Sequence, residues 1–271
     1  RRSPRGSPRG GGGAPSKPFF YTIRDQYTSI EDVQDGLRRA GMESSNLIVG
    51  IDYTKSNTWT GKHTFGGRCL HDIVPDQYNP YQSVIDVMGR TLEPFDDDKL
   101  VPVYGFGDAT TTSRAVFPFY PDERPCFGVN EALARYTEIT PNIQLSGPTS
   151  FAPIVDKAIE IVHKTHQYHI LVIVADGQVT SKKATTEAIV RASRYPLSIV
   201  LVGVGDGPWD EAERYDDELP QRQFDNFQFV DFHKVMTAPR VENREAHFAL
   251  HALMEIPEQY QAIRKLGLLD E

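Results

Sequence analysis

The sequence predicts an α/β protein: a doubly wound, mostly parallel central sheet with helices on both faces. Short apolar, β-rich runs recur along the chain and end near Gly or Asp, which is how strands buried on both sides of a parallel sheet read. Between them the apolar residues repeat at the helical period, so strand and helix alternate throughout. A length of 271 residues with 39% hydrophobic content suits one large domain with appendages.

Taken in order, residues 1–20 form a basic tail. RRSPRGSPRGGGGAPSKP holds Arg1, Arg2, Arg5, Arg9 and Lys17, no acid, and little besides Gly, Pro and Ser. Such a segment buries too little apolar surface to offset the entropy of ordering and is expected to be disordered. Its doubled Ser-Pro-Arg-Gly suits phosphorylation or an acidic surface, but a plain linker is favoured and no site is assigned there. The chain opens on Arg1-Arg2 rather than methionine and is read as an excised or processed product. The folded domain is placed at 21–271, flanking helices included.

A short helix is expected from Ile30 to Ala40, capped by Thr28 or Ser29. NLIVGID, Asn46 to Asp52, reads as the first buried strand. The pattern returns at VPVYGFG (Val101 to Gly107), HILVIVADG (His169 to Gly177) and LSIVLVGVG (Leu197 to Gly205), with a weaker strand at Phe227 to Phe232. Helical periodicity fills Tyr81 to Leu92, Asn130 to Ile139, Ala152 to His163 and Ala184 to Arg194. A last helix is expected from Arg244 to about Leu266.

Bulk properties exclude several function classes. A net charge of -8 argues against a nucleic-acid-binding body. Two cysteines, Cys69 and Cys126, are too few for a disulfide framework or zinc site and fit a reducing, cytoplasmic setting. No apolar run approaches the ~20 residues of a membrane span, and no signal-type stretch opens the chain.

In an open α/β sheet the ligand sits beyond the carboxyl ends of the strands, where the strand order reverses. There the chain places Asp52, Thr54 and Ser56 at spacing i, i+2, i+4, offering one carboxylate and two hydroxyls as a strand gives way to a loop. Asp176 closes the strand HILVIVA and reaches the same rim of a parallel sheet. Between them Gly147-Pro148-Thr149 turns into a helix, so the Thr149 hydroxyl can approach the same point. Such hard oxygens suit magnesium best, with calcium or manganese as alternatives, whereas softer metals prefer His or Cys. Each piece alone is weak: a lone Asp52 reads more readily as a turn residue, and Thr149 as a helix cap. Their joint occurrence changes the odds.

Asp-x-Thr-x-Ser, Gly-Pro-Thr before a helix and Asp-Gly at a later strand end resemble the metal-ion-dependent adhesion site of von Willebrand factor A-type domains. The resemblance implies that Ser56, Thr149 and Thr54 lie nearest the metal, with Asp52 and Asp176 acting directly or through water. One position would stay open for a partner's carboxylate. GIDYTKSN, LVPVYGFGD, NPYQSVID, QLSGPTSFAPIVDKA, VIVADGQVT and RASRYPLSIVLVGVGD resemble copine-type A domains over most of the chain after the tail. TFGGRCLHDI and GFGDATT look most like plant RING-domain E3 ubiquitin ligases of the RGLG kind. That resemblance implies a RING finger outside the chain that would meet a ubiquitin-conjugating enzyme, since nothing after Leu269 supplies zinc ligands. It also implies a lipid anchor in the parent, hence the inner face of the plasma membrane, with the nucleus left open. Two departures, Thr54 where many A domains have Ser and Ala175 where Thr is frequent, leave the oxygen donors intact.

Other signals are set aside. GVGDGPW begins like a dinucleotide loop but has Pro208 at the third glycine position, and no phosphate loop or nucleophile elbow occurs. His163, His166 and His169 straddle a helix end and a strand start and should diverge. Asp96-Asp97-Asp98 reads as a solvated turn. Lys55 and Asn57 either contact a partner or solvate the rim, and Asp108 reads as a turn cap rather than a residue orienting metal-bound water. The expected function is a non-catalytic, metal-dependent protein-interaction module recruiting substrates or regulators. The alternatives are a copine-type, calcium-dependent phospholipid adaptor and a metal-dependent hydrolase.

Overall fold

In the computed structural model, which describes residues 28–177, 179–217, 219 and 222–269, the apolar runs become neighbouring strands. The expected tail at 1–20 lies outside the described residues. The strands are β1 (Asn46–Asp52), β2 (Leu100–Val101), β3 (Val103–Phe106), β4 (Phe117–Pro118), β5 (Cys126–Phe127), β6 (His169–Ala175), β7 (Leu197–Gly203) and β8 (Phe227–Asp231). The helices are α1 (Ile30–Arg39), α2 (Pro80–Leu92), α3 (Gly128–Ile139), α4 (Ala152–Thr165), α5 (Lys182–Ala192), α6 (Asp210–Asp217), α7 (Phe232–Met236), α8 (Arg244–Leu253) and α9 (Ile256–Lys265). Among the described residues the main sheet runs β4-β3-β1-β6-β7-β8 and is parallel except at its β4 edge, the doubly wound arrangement the sequence predicts.

The period-two alternation of the strands sorts their side chains into two cores. Leu47, Val49 and Ile51 of β1 and Ile170, Val172 and Val174 of β6 pack on one face, under α1, α2, α3, α8 and α9. Ile48 of β1 and Leu171, Ile173 and Ala175 of β6 pack on the other, under α4, α5 and α6. Gly50 shares that second face, and a Cβ there would lie 2.6 Å from Ile154 Cγ1. Its missing side chain lets α4 lie close over β1, which brings the loop before α4 to the end of that strand.

Several boundaries differ from expectation for identifiable reasons. Ser29, not Thr28, caps α1: its Oγ accepts from Asp32 N at 3.1 Å while Asp32 returns a bond to Ser29 N at 3.0 Å. The strand expected over 101–107 is split at Pro102, which has no N–H to give a ladder and offers only its carbonyl to Val49 N at 3.0 Å. Leu100–Val101 therefore leaves the main sheet and pairs with Cys126–Phe127. Phe232 is not a strand residue but opens α7, because Asp231 Oδ1 accepts from Lys234 N at 3.0 Å and caps a helix there. The single helix expected from Arg244 is two, since Pro257 fits only a first helical turn and starts α9 afresh. Helix α6 was not expected; among the described residues its buried apolar side chains are Ala212 and Tyr215.

α2, following β1, covers the first face, and α5, following β6, covers the second. These adjacent strands thus send their chains to opposite sides, leaving a crevice between their carboxyl ends.

Candidate metal centre

β1 and β6 are in register from Asn46–His169 to Ile51–Val174, so their next residues reach one rim. Asp52 ends β1 and Asp176 follows β6 directly. Both are buried. Asp52 Oδ1 accepts from Thr54 N at 2.8 Å, whereas its Oδ2 is buried with no hydrogen-bond partner among the described residues. Asp176 Oδ1 accepts from Ser56 Oγ at 2.9 Å and, at the limit of contact, from Thr54 Oγ1 at 3.5 Å. The Thr54 and Ser56 hydroxyls lie 3.0 Å apart. Four of the five sequence-predicted residues are thus gathered at one point.

The fifth, Thr149, sits on a loop stitched to the same rim. Lys55 N donates to Ser146 O at 2.6 Å and Ser146 N to Tyr53 O at 3.2 Å. The Thr149 carbonyl accepts from Thr180 N at 3.0 Å and Thr180 Oγ1 at 2.8 Å. Among the described residues no hydrogen bond joins its side chain to the other four. It is not the cap of α4 either, because Phe151 holds that place.

Electrostatically the pair is unbalanced. Burial lifts the Asp52 carboxyl well above the usual carboxylate range, and the Asp176 charge adds to it. Burial also raises Asp176, against the lowering by the Thr60, Ser56 and Thr54 hydroxyls. No described cation pairs with either. His71, bonded to the Asp52 backbone carbonyl, is pushed down to about 3 by burial and stands neutral. Its Nε2 lies 2.8 Å from the Asp52 carbonyl and so must carry the proton, while Nδ1 faces the Tyr136 hydroxyl at 2.7 Å. His71 is stacked between Tyr53 (4.7 Å) and Tyr81 (4.1 Å), a buried aromatic floor under the carboxylates.

Sequence reasoning missed several contributors. Thr60 Oγ1 donates to Asp176 Oδ2 at 2.6 Å. Asp206 fixes that loop, accepting from His63 N at 3.0 Å and from Thr64 N at 2.9 Å, while its own N–H donates to Thr60 O at 2.7 Å. Asp206 was visible as a strand-end acid, but its tie to Thr60 spans most of the chain. Asn57, expected at the rim, is instead buried and donates to Asp52 O at 3.2 Å and Thr54 O at 2.9 Å. The tight turn at Lys55–Thr58 points it inward and leaves Lys55 exposed. Asp108 caps a turn, accepting from Thr110 N and Thr111 N, each at 3.1 Å. Burial raises its carboxyl, but the Thr110 and Thr111 bonds together hold it below the ordinary value. Gly107 closes the rim at φ +80, and a Cβ there would meet Thr54 Cγ2 at 2.5 Å.

Among the described residues no group of three or more His, Cys, Asp and Glu is placed to share an ion. What the rim offers is a different donor set: two buried carboxylates flanked by hydroxyls, all hard oxygens, with one carboxylate oxygen lacking any donor. That chemistry fits a hard divalent cation, and both nitrogens of His71 are engaged in hydrogen bonds.

The copine family profile matches residues 69–271. The E3 ubiquitin-protein ligases RGLG4 and RGLG3 of Arabidopsis thaliana are 53% and 54% identical, over 94% and 90% of this chain and 67% and 70% of their own lengths. Copine family protein 2 of Caenorhabditis elegans is 55% identical over 90% of this chain, which spans 3% of that protein. Similar solved structures include a manganese-loaded TRAP protein of Plasmodium vivax, 15% identical with a TM-score of 0.48 over 70% of this chain and 69% of that one. Another is a von Willebrand factor type A structure from Catenulispora acidiphila, 14% identical with a TM-score of 0.47 over 77% and 43%.

Proposed function

The chain belongs to the copine family, and on that premise we propose that it is a metal-dependent protein-interaction domain. Asp52, Thr54, Ser56, Thr149 and Asp176 would hold a divalent cation, which would leave a position for a carboxylate of a protein partner. The observation that carries this reading is Asp52 Oδ2, buried without a donor among the described residues. An unmet buried acceptor costs about 1–3 kcal/mol, more when charged, and a cation is the partner that also offsets the two adjacent carboxylates. Bound there, the ion supplies Lewis acidity toward an incoming oxygen ligand.

This chain's residues divide the work. Thr54 and Ser56 turn hydroxyl oxygens toward the carboxylates, and Thr60 holds Asp176 from the far side. Asn57, His71 and Tyr81 converge on the Asp52 carbonyl and keep the strand end from shifting. Magnesium suits the mixed hydroxyl and carboxylate shell, with manganese or calcium as substitutes. Similarity to the Arabidopsis E3 ubiquitin-protein ligases supports a ubiquitin-pathway parent; in our reading the domain there recruits substrates or regulators in the cytoplasm, while a RING finger outside these residues engages the ubiquitin-conjugating enzyme.

Thermal unfolding tests the centre. Magnesium or manganese at about a hundredfold over its dissociation constant stabilises by about 2.7 kcal/mol, which raises Tm by about 5–10 °C in a domain of this size. Asp52→Ala combined with Thr149→Ala abolishes the shift; an unchanged shift in that double variant refutes the assignment.

A further inference from the structure

The surface around the cation site departs from the character of the chain. The protein carries a net charge of -8, yet residues 53–71 contain Lys55, Lys62 and Arg68 and no Asp or Glu. The neighbouring rim loops at 109–121 and 143–150 hold no acid either, and the first adds Arg114. Of the neighbouring carboxylates, Asp108 is engaged by Thr110 and Thr111 and Asp206 by the amides of His63 and Thr64, while the exposed Asp72 follows the stretch directly. Lys55, Lys62 and Arg68 form no ion pair with any described residue. Lys55 and Lys62 are exposed, and the Arg68 guanidinium carbon lies over the Phe65 ring at 4.1 Å from its centroid.

Within this basic stretch Trp59 is 59% exposed. Its backbone is fixed by the site itself. Trp59 N and Thr60 N both donate to Ser56 O, at 2.9 and 3.0 Å, so the ring stands between two residues whose hydroxyls bind Asp176. A tryptophan buries about 150–250 Å² when covered, and interface hot spots are enriched in this residue.

We propose that Trp59, Lys55, Lys62 and Arg68 form a recognition rim for an acidic partner segment in which an apolar side chain neighbours the metal-bound carboxylate. The proposal rests on the cation-site reading above. The metal takes one carboxylate, Trp59 covers the adjoining apolar side chain, and the cations draw in further acids. The charges act chiefly on the rate of encounter and weaken with salt, whereas the ring acts on residence time.

The test is an array of octapeptides with one fixed central Asp and randomised flanks, probed with the full chain in magnesium. Wild type is expected to select acidic flanks and an aromatic or aliphatic neighbour. Trp59→Ser removes the apolar preference, lowering retention of those peptides about tenfold, equivalent to 1.4 kcal/mol. Lys55→Ser with Lys62→Ser removes the acidic preference, and neither variant alters the magnesium-induced rise in Tm. The proposal is overturned if flanks are selected without regard to charge, if the apolar preference survives Trp59→Ser, or if no peptide is retained while magnesium still raises Tm. Absence of the Tm rise in wild type instead removes the underlying cation site.

Discussion

The two ends of the sheet are both rich in polar residues, but they surround their carboxylates with different partners. At the amino-terminal end, Asp225, Glu255 and Glu258 line a cavity of about 280 Å³ with Gln259 and Ala262. A second cavity there, of about 250 Å³, is flanked by Asp97 and Asp98. Like charges meet: burial pushes Glu255 up to about 8, and Asp216, Asp225 and Glu258 add to it, while burial with Asp98 nearby carries Asp96 to about 6. At the carboxyl-terminal end Asp108, Asp176 and Asp206 are each met by threonine or serine hydroxyls or backbone N–H groups, and Asp52 Oδ2 is left without a partner among the described residues. Acid content alone therefore does not mark a site. What marks it is a rim where nearly every acceptor is satisfied and the exception is buried.

The contrast can be attacked from its strongest side first. His71→Ala empties the aromatic floor and strips a donor from the Asp52 carbonyl, at a cost of about 3 kcal/mol or more. Denaturant titration is expected to show that loss together with a reduced magnesium response; a cost within about 0.5 kcal/mol, as for an ordinary surface change, would mean the floor does not support the site. Next comes Gly107→Ala, which combines a left-handed backbone with a Cβ 2.5 Å from Thr54 Cγ2. It is expected to destabilise by about 1–3 kcal/mol and weaken cation affinity in calorimetric titration, whereas an unaltered affinity would separate Thr54 from the ion. The smallest effect belongs to the other end. Burial pushes the Glu255 carboxyl up to about 8 in the folded chain, from an ordinary value of 4.5. The folded state therefore binds the extra proton between those values, and that stabilisation is complete below the lower one and lost as pH rises through the upper. Glu255→Gln is expected to flatten the decline in Tm over that window and leave the magnesium response intact. A steeper decline would reverse the sign assigned to the cavity.

Much of this architecture is legible in the sequence because burial on both faces forces unbroken apolar runs, and β1, β6 and β7 could hardly be read otherwise. Asp52, Thr54, Ser56 and Asp176 were accessible for the same reason, since strand ends are where such runs stop. The supporting residues were not. Thr60 and His71 gain their roles from contacts distant in sequence, and nothing in their local spacing distinguishes them from loop residues; Asn57 and Asp206 stood out by position, but not the bonds they make. Pro102 was readable as a ladder breaker, yet only the pairing of Leu100–Val101 with Cys126–Phe127 shows where the freed segment goes. With Ala212 and Tyr215 as its inward residues, α6 carries too faint a period to be seen.

The ladder between β1 and β6 has a practical corollary for engineering. The spacing of Asp52 and Asp176 is set by strand pairing and not by the long stretch of chain between them. Gly66 and Gly67 are exposed, and a Cβ added at either meets nothing within 4 Å. A reporter or affinity tag can be spliced there with the two carboxylates still in register. One extra residue inside β1 would instead swap the strand's inward and outward side chains and carry Asp52 out of step with its partner.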